Sequence, residues 1–306
     1  MKLAVEFPSI LYREGPAAVA DLARAIERIG FDQLDVFDHV VMGHPLEGRA
    51  TGPYPAAMPI MEALTTLAYV AAVTERIGLG TEVLVLPQRQ PVLVAKQVST
   101  IDTLSGGRVR LGVGVGWQES EYDALGMDFH TRGAAMDEAI ALLKACWTEP
   151  SITADGEHYP VQAMAMEPKP PHEGGPPIWI GGGSPAALKR AGTIGDGWLA
   201  GAGATSDGIA TVKRHAEEAG RDPEALGFQT WLGPIPGNDN PGGRDRPFHQ
   251  DVDAVAAAAA ATAEAGFGWA AINITAIFQS GARSGEQMAE ALDTLHERVR
   301  REVGYE

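Results

Sequence analysis

The feature that most restricts the fold of this chain is alternation. Short apolar segments and helical stripes follow one another from end to end, with no linker between them. Strands are predicted over Lys2–Phe7, Leu34–Phe37, Ile77–Leu86, Val109–Val115, Pro177–Ile180, Gly197–Ala200, Phe228–Leu232 and Ala270–Thr275. Between them apolar residues recur at helical spacing, as at Val19, Leu22, Ala23, Ile26 and Ile29, where Gly30 supplies the stop. Further helices are predicted over Ile60–Glu75, Pro91–Leu104, Met136–Trp147, Ser206–Ala219, Asp251–Ala265 and Ser284–Arg301. Eight strands, each followed by a helix, predict an α/β (β/α)8 TIM barrel occupying residues 1–306 as one domain. Nearly unbroken apolar runs in the third and fourth strands suit parallel strands covered on both faces. The rival is an open two-domain α/β fold of the solute-binding type. Three stretches break the rhythm: 40–59, 150–177 (a short hairpin or irregular insert) and the loop Pro234–Pro247.

Composition removes several function classes. With 24 Lys+Arg against 40 Asp+Glu, the net charge is −16. A nucleic-acid or anionic-membrane surface needs clustered cations, so neither partner is expected. No run approaches the about 20 apolar residues of a membrane span. Glu6 and Pro8 interrupt what would be the apolar core of a signal peptide, so a cytoplasmic protein is expected. The lone Cys146 cannot form an intrachain disulfide. No His, Cys or carboxylate pattern has metal-ligand spacing, so no metal is expected. A Gly-x-Ser-x-Gly elbow is absent, which leaves a serine hydrolase without support.

A barrel places its active site where the strands end at their C-termini. The sharpest local signal there is Gly181-Gly182-Gly183-Ser184-Pro185. Serine is a preferred N-cap and proline suits the first helical position, while glycines let a ligand approach the backbone. A helix start carries roughly half a positive charge, so this corner is a candidate anion cradle. The bland alternative is a tight turn and nothing more. Asp38-His39 closes the second strand, and His39 can both donate and accept a proton near neutral pH. Adjacent strand side chains face opposite ways, so direct pairing of the two is not assured. His44 is a weaker candidate of the same kind, and the other six histidines read as structural or exposed. Trp117, Trp179, Trp198 and Trp231 lie in or beside strand ends, as core or as walls around a planar ring. Gly112-Val113-Gly114-Val115-Gly116 lacks dinucleotide spacing, and its glycines inside a strand read as close packing or a bulge.

Several of these segments resemble the bacterial luciferase-like family of flavin- and deazaflavin-dependent oxidoreductases. They are Gly78–Pro87, Pro91–Lys96, Leu104–Arg108, Leu111–Trp117, Pro168-Lys169-Pro170 and Pro177–Ser184. The resemblance covers essentially the whole chain and is most specific over residues 77–200. It implies a (β/α)8 barrel with the cofactor ring across the strand C-termini, in a homodimer. It places Asp38 and His39 as polar groups against the ring. It places Glu82-Val83 at a non-proline cis peptide beneath the ring, and Gly182, Gly183 and Ser184 on the cofactor phosphate, with Gly201 beside it. Trp117 stands on the cofactor wall where deazaflavin-linked sugar-phosphate dehydrogenases of the family carry a glutamate. That departure argues against sugar-phosphate oxidation and leaves His39 as the candidate catalytic residue. The overall style of residues 77–117 resembles F420-dependent oxidoreductases. Coenzyme F420 with a small organic substrate is therefore the expected pairing. The alternatives are FMN in a two-component monooxygenase served by a separate reductase, and a barrel that binds cofactor or ligand without catalysis.

Overall fold

The computed structural model describes residues 1–48, 54–201, 203–234 and 247–304. Its strands are β1 (Lys2–Glu6), β2 (Gln33–Val36), β3 (Gly78–Thr81), β4 (Leu84–Val85), β5 (Val109–Gly114), β6 (Ile152–Ala154), β7 (Val161–Met164), β8 (Ile178–Gly181), β9 (Gly197–Ala200), β10 (Gly227–Trp231) and β11 (Trp269–Asn273). All barrel pairings are parallel. They run β3-β2-β1-β11-β10-β9-β8-β5, and a β3–β5 pairing closes the ring. β4 continues the path of β3 and pairs only with the end of β5. The result is the eight-stranded (β/α)8 barrel that the alternation predicts.

The helices are α1 (Pro16–Ile29), α2 (Ala63–Val73), α3 (Pro91–Ser105), α4 (Glu119–Leu125), α5 (Arg132–Thr148), α6 (Pro185–Thr193), α7 (Ser206–Glu218), α8 (Val252–Glu264), α9 (Ile274–Gln279) and α10 (Gly285–Val303). Among the described residues no helix is long and apolar enough to cross a membrane. The principal core lies between helices and strands, where Leu3, Val5, Leu34, Leu79, Leu111, Val113, Ile178 and Ile272 are fully buried. Side chains on the opposite face of these strands point into the barrel, and many are polar. Gln33, Asp35, Arg110 and Gln229 are joined there by hydrogen bonds.

Several boundaries differ from the periodicity reading, each for a local reason. The third strand breaks at a cis peptide between Glu82 and Val83, so Ile77–Leu86 is not one strand. Val83 inserts its side chain between β5 and β8: a Cβ built on Gly114 or Gly181 would lie 2.7 or 2.6 Å from its methyl groups. Those two glycines are therefore required by close approach. The eighth strand stops at Asn273, whose side chain accepts the Ala276 N–H at 2.9 Å and caps α9. Ile274 and Thr275 are helical as a result. The helix predicted over Ile60–Glu75 is shorter because Glu62 caps it through the Thr65 N–H at 2.7 Å. The 150–177 insert contains the antiparallel hairpin β6–β7. Residues 235–246 of the predicted loop, and 49–53 of the first excursion, lie outside the described residues.

Candidate active site

The barrel floor is built from acids. Glu6 ends β1 and Glu82 follows β3, and both are buried within the ring beside Asp35. Asp35 is satisfied: it accepts from Gln33 Nε2 at 3.0 Å, Arg110 Nη2 at 2.7 Å and Gln229 Nε2 at 3.1 Å. The Arg110 guanidinium lies 4.4 Å from the ring centroid of Trp179 and 4.8 Å from that of Trp269. Glu6 Oε2, Glu82 Oε2 and Trp231 Nε1, by contrast, are buried and make no hydrogen bond among the described residues. Burial first, then the charge of Asp35, pushes the Glu6 carboxyl from 4.5 to about 8. Burial, with Asp35 and Glu6, also drives Glu82 well above its ordinary value. Glu6 thus keeps its proton at neutral pH, which lightens the negative charge that Arg110 has to balance.

This protonation has a measurable consequence. An unfolded chain releases the Glu6 proton near 4.5, whereas the folded chain holds it to about 8. Folding stability must therefore fall as pH rises between those values and level off above them. Glu6→Gln keeps the shape and removes the ionisation. It is expected to raise the melting temperature at pH 8–9 and to flatten the profile between pH 5 and 8, as read by thermal denaturation. An unchanged profile would show that Glu6 ionises freely.

One wall of the mouth is aromatic and carries His39. The imidazole lies 5.4 Å, edge-on, from the Trp117 ring and 6.0 Å from that of Tyr54, which stacks on Phe37 at 6.4 Å. Trp117 itself is 40% exposed. Asp38, the neighbour of His39, faces elsewhere. Its carboxylate takes both Arg89 Nη1 and Nη2 at 2.8 Å and the Val85 N–H at 2.9 Å, tying β2 to the chain just beyond the cis peptide. Burial raises this carboxyl above its ordinary value, with Arg89 and the Val85 N–H opposing. Its side chain is thus committed to the scaffold, as sequence adjacency alone could not tell.

The acid that does meet His39 is Glu121, from α4. Its Oε2 lies 2.9 Å from His39 Nδ1, and both side chains are buried. The other oxygen accepts the N–H groups of Val40 at 2.5 Å and Val41 at 3.2 Å. Gln118 fastens the same loop, donating to the Val41 carbonyl and accepting the Gly43 N–H. Burial would raise the Glu121 carboxyl, but its bonds to His39 and Val40 bring it below the ordinary value. His44 is exposed further along this loop.

The opposite corner is the start of α6. Gly182 has φ +111°, a left-handed conformation that glycine adopts freely, and its carbonyl accepts Trp198 Nε1 at 2.7 Å. Ser184 caps the helix by accepting the Ala187 N–H at 3.2 Å. Gly182, Gly183 and Ser184 are exposed, and a Cβ at Gly183 would meet nothing within 4 Å. Gly201, just after β9, is likewise open, its carbonyl accepting Thr230 Oγ1 at 3.1 Å. Clefts of ≈ 540 Å³, lined by Trp117, Gln118, Asp123 and Phe129, and ≈ 330 Å³, lined by Gly203, Thr230 and Trp231, flank the mouth.

Of the residues singled out from sequence, His39 and Trp117 meet on one wall, Glu82-Val83 lies beneath, and Gly182, Gly183 and Ser184 form the far corner. Glu6, Glu121, Arg110 and Tyr54 were missed. A carboxylate in the last position of a strand was the available signal for Glu6. Glu121 had none, because α4 is too short to show a stripe.

A (β/α)8 barrel with a buried acid floor, a histidine wall and an open helix start at the strand C-termini has the form of a small-molecule site. The chain matches the luciferase-like monooxygenase family over residues 3–298 and belongs to it. It is 32% identical to the F420-dependent glucose-6-phosphate dehydrogenase of Nocardia farcinica over 234 residues, 73% of this chain and 66% of that protein. Its fold is similar to a monooxygenase from Streptomyces bottropensis, with TM-score 0.79 and 19% identity, over 99% of this chain and 100% of that one. It is also similar to an F420-dependent secondary alcohol dehydrogenase, with TM-score 0.65 and 20% identity, over 99% and 88% of the two chains.

Proposed function

We propose that this protein uses a deazaflavin, coenzyme F420, to transfer hydride to or from a small organic substrate at the mouth of the barrel. The observation that carries the reading is the pairing of an open, capped helix start with orphaned buried polar atoms across one barrel mouth. The helix start offers N–H groups and a positive dipole end to a phosphate. Glu6 Oε2, Glu82 Oε2 and Trp231 Nε1 offer hydrogen-bonding capacity that the chain itself leaves unused. The kinship with F420-dependent enzymes supports the deazaflavin over FMN.

The residues fit such a group. Gly182, Gly183, Ser184 and Gly201 would hold its phosphate, and Val83 would press the backbone beneath its ring. When bound, the cofactor supplies the hydride chemistry, and the protein supplies orientation and protons. His39 is the proton-handling group, and Glu6 holds a second proton below about pH 8. Phe37, Tyr54 and Trp117 make one side of the mouth aromatic. Trp117 in place of a glutamate points to a substrate other than a sugar phosphate. The further expectations are a homodimer in the cytoplasm, with a separate reductase supplying reduced cofactor as the alternative.

The test is absorption spectroscopy of protein mixed with F420, desalted and rescanned, beside the same treatment with FMN. Retention of the deazaflavin and oxygen-independent turnover support the proposal. Retention of FMN with an oxygen-dependent product would move the protein to the two-component monooxygenase reading. Gly183→Asp then probes the phosphate corner. There is room for the side chain, so melting temperature should hold, while a carboxylate at the helix start repels the anion. F420 affinity is expected to drop by roughly tenfold or more, measured by fluorescence titration. Unchanged affinity would place the phosphate elsewhere.

A further inference from the structure

We propose that Glu121 is the positioning residue of His39, fixing its tautomer so that Nδ1 carries the ring proton and Nε2 is presented bare to the reacting partner. The inference rests on the reading of His39 as the proton-handling group, but its structural half stands apart from any cofactor. A carboxylate can only accept, so the 2.9 Å contact between Glu121 Oε2 and His39 Nδ1 requires the proton on Nδ1. The neutral ring then has its lone pair on Nε2, on the edge away from Glu121. Both side chains are nearly inaccessible, at 6% and 1%, so water does not compete for the bond. The carboxylate is itself held: its second oxygen binds the Val40 and Val41 N–H groups, and Gln118 secures the segment beyond. Glu121 cannot rotate away without releasing four partners, His39, Val40, Val41 and Gln118.

The sequence context gives this arrangement a reason. Trp117 occupies the position where the sugar-phosphate branch has a glutamate, and it packs edge-on against His39 instead of ionising. Glu121 lies four residues further along, in the first turn of α4, and its carboxylate meets the imidazole at Nδ1. The mouth thereby keeps an acid coupled to its histidine while the wall itself becomes aromatic. Such an acid orients the base without taking the proton, the role a buried carboxylate has beside histidine in hydrolytic triads.

The test uses the intact protein. With 15N-labelled histidine, His39 is assigned by difference against His39→Gln, and its two nitrogens report which one bears hydrogen. The wild-type protein without cofactor should show Nδ1 protonated and Nε2 bare. Glu121→Gln should lose that preference and lower kcat by roughly 10–100-fold, a part of the ~10²–10⁴ contributed by a positioned proton-transfer group. Its F420 dissociation constant should stay within threefold. Gln118→Ala, which loosens the loop and removes a 3.4 Å donor to the same Glu121 oxygen but leaves the carboxylate in place, should keep the wild-type tautomer. A wild-type His39 protonated at Nε2 overturns the proposal, as does Glu121→Gln with tautomer and kcat unchanged. If Glu121→Gln does not fold, the wild-type tautomer alone decides. Failure of the wild-type protein to bind F420 would instead sink the functional reading and leave the tautomer measurement standing.

Discussion

Replacing His39 by alanine is expected to slow turnover by ~10²–10⁴ while cofactor affinity stays within an order of magnitude. The two effects separate because His39 lies on the aromatic wall, away from the phosphate corner at Gly182–Ser184. The substitution does leave Glu121 buried without its partner, at a cost of about 1–3 kcal/mol. Melting temperature should therefore fall modestly, and the kinetic comparison should be made well below it. Steady-state rates with F420, beside fluorescence titration of binding, measure both quantities. Turnover equal to wild type would remove His39 from the chemistry and shift the proton to the acids of the floor.

The architecture was legible because it depends on periodicity. Eight apolar strands with intervening stripes could close only in a few ways, and β1–β11 pairing follows from that count. Local chemistry was legible where it uses strong local signals: Ser184 caps α6, and Pro185 follows as the first helical residue. What the sequence did not reveal depends on contacts between distant segments. Adjacency leaves the pairing of Asp38 with His39 open, and Arg89, 51 residues away, takes the carboxylate instead. Glu121 reaches His39 across 82 residues. The break at Glu82-Val83 lies inside an apolar run that periodicity reads as one strand, because a peptide's isomer leaves no trace in hydrophobic spacing; the family resemblance, not the spacing, places the cis peptide there. The glycines of β5 were read as close packing, and Val83 against Gly114 is that packing.

The polar interior leads to the largest expected change in stability. Arg110→Met should destabilise the protein by about 3–5 kcal/mol, the usual consequence of removing one partner of a buried ion pair. Arg110 is 7% exposed and Asp35 fully buried, so water cannot replace the lost guanidinium. Its Nη2 holds both Asp35 at 2.7 Å and Gln229 at 2.8 Å, while Trp179 and Trp269 flank its plane. Methionine fills the aromatic slot but offers no donor, leaving Asp35 to two amides. Glu6 avoids this problem by holding its proton to about pH 8, and burial shifts Glu82 in the same direction. The double variant Asp35→Asn/Arg110→Met removes the charge as well as its partner. It should be less destabilised than the sum of the single variants by at least about 1 kcal/mol. Denaturant melts of the four proteins close the cycle. Strict additivity would mean that Arg110 acts by packing between the tryptophans, and that the acid floor does not depend on its charge.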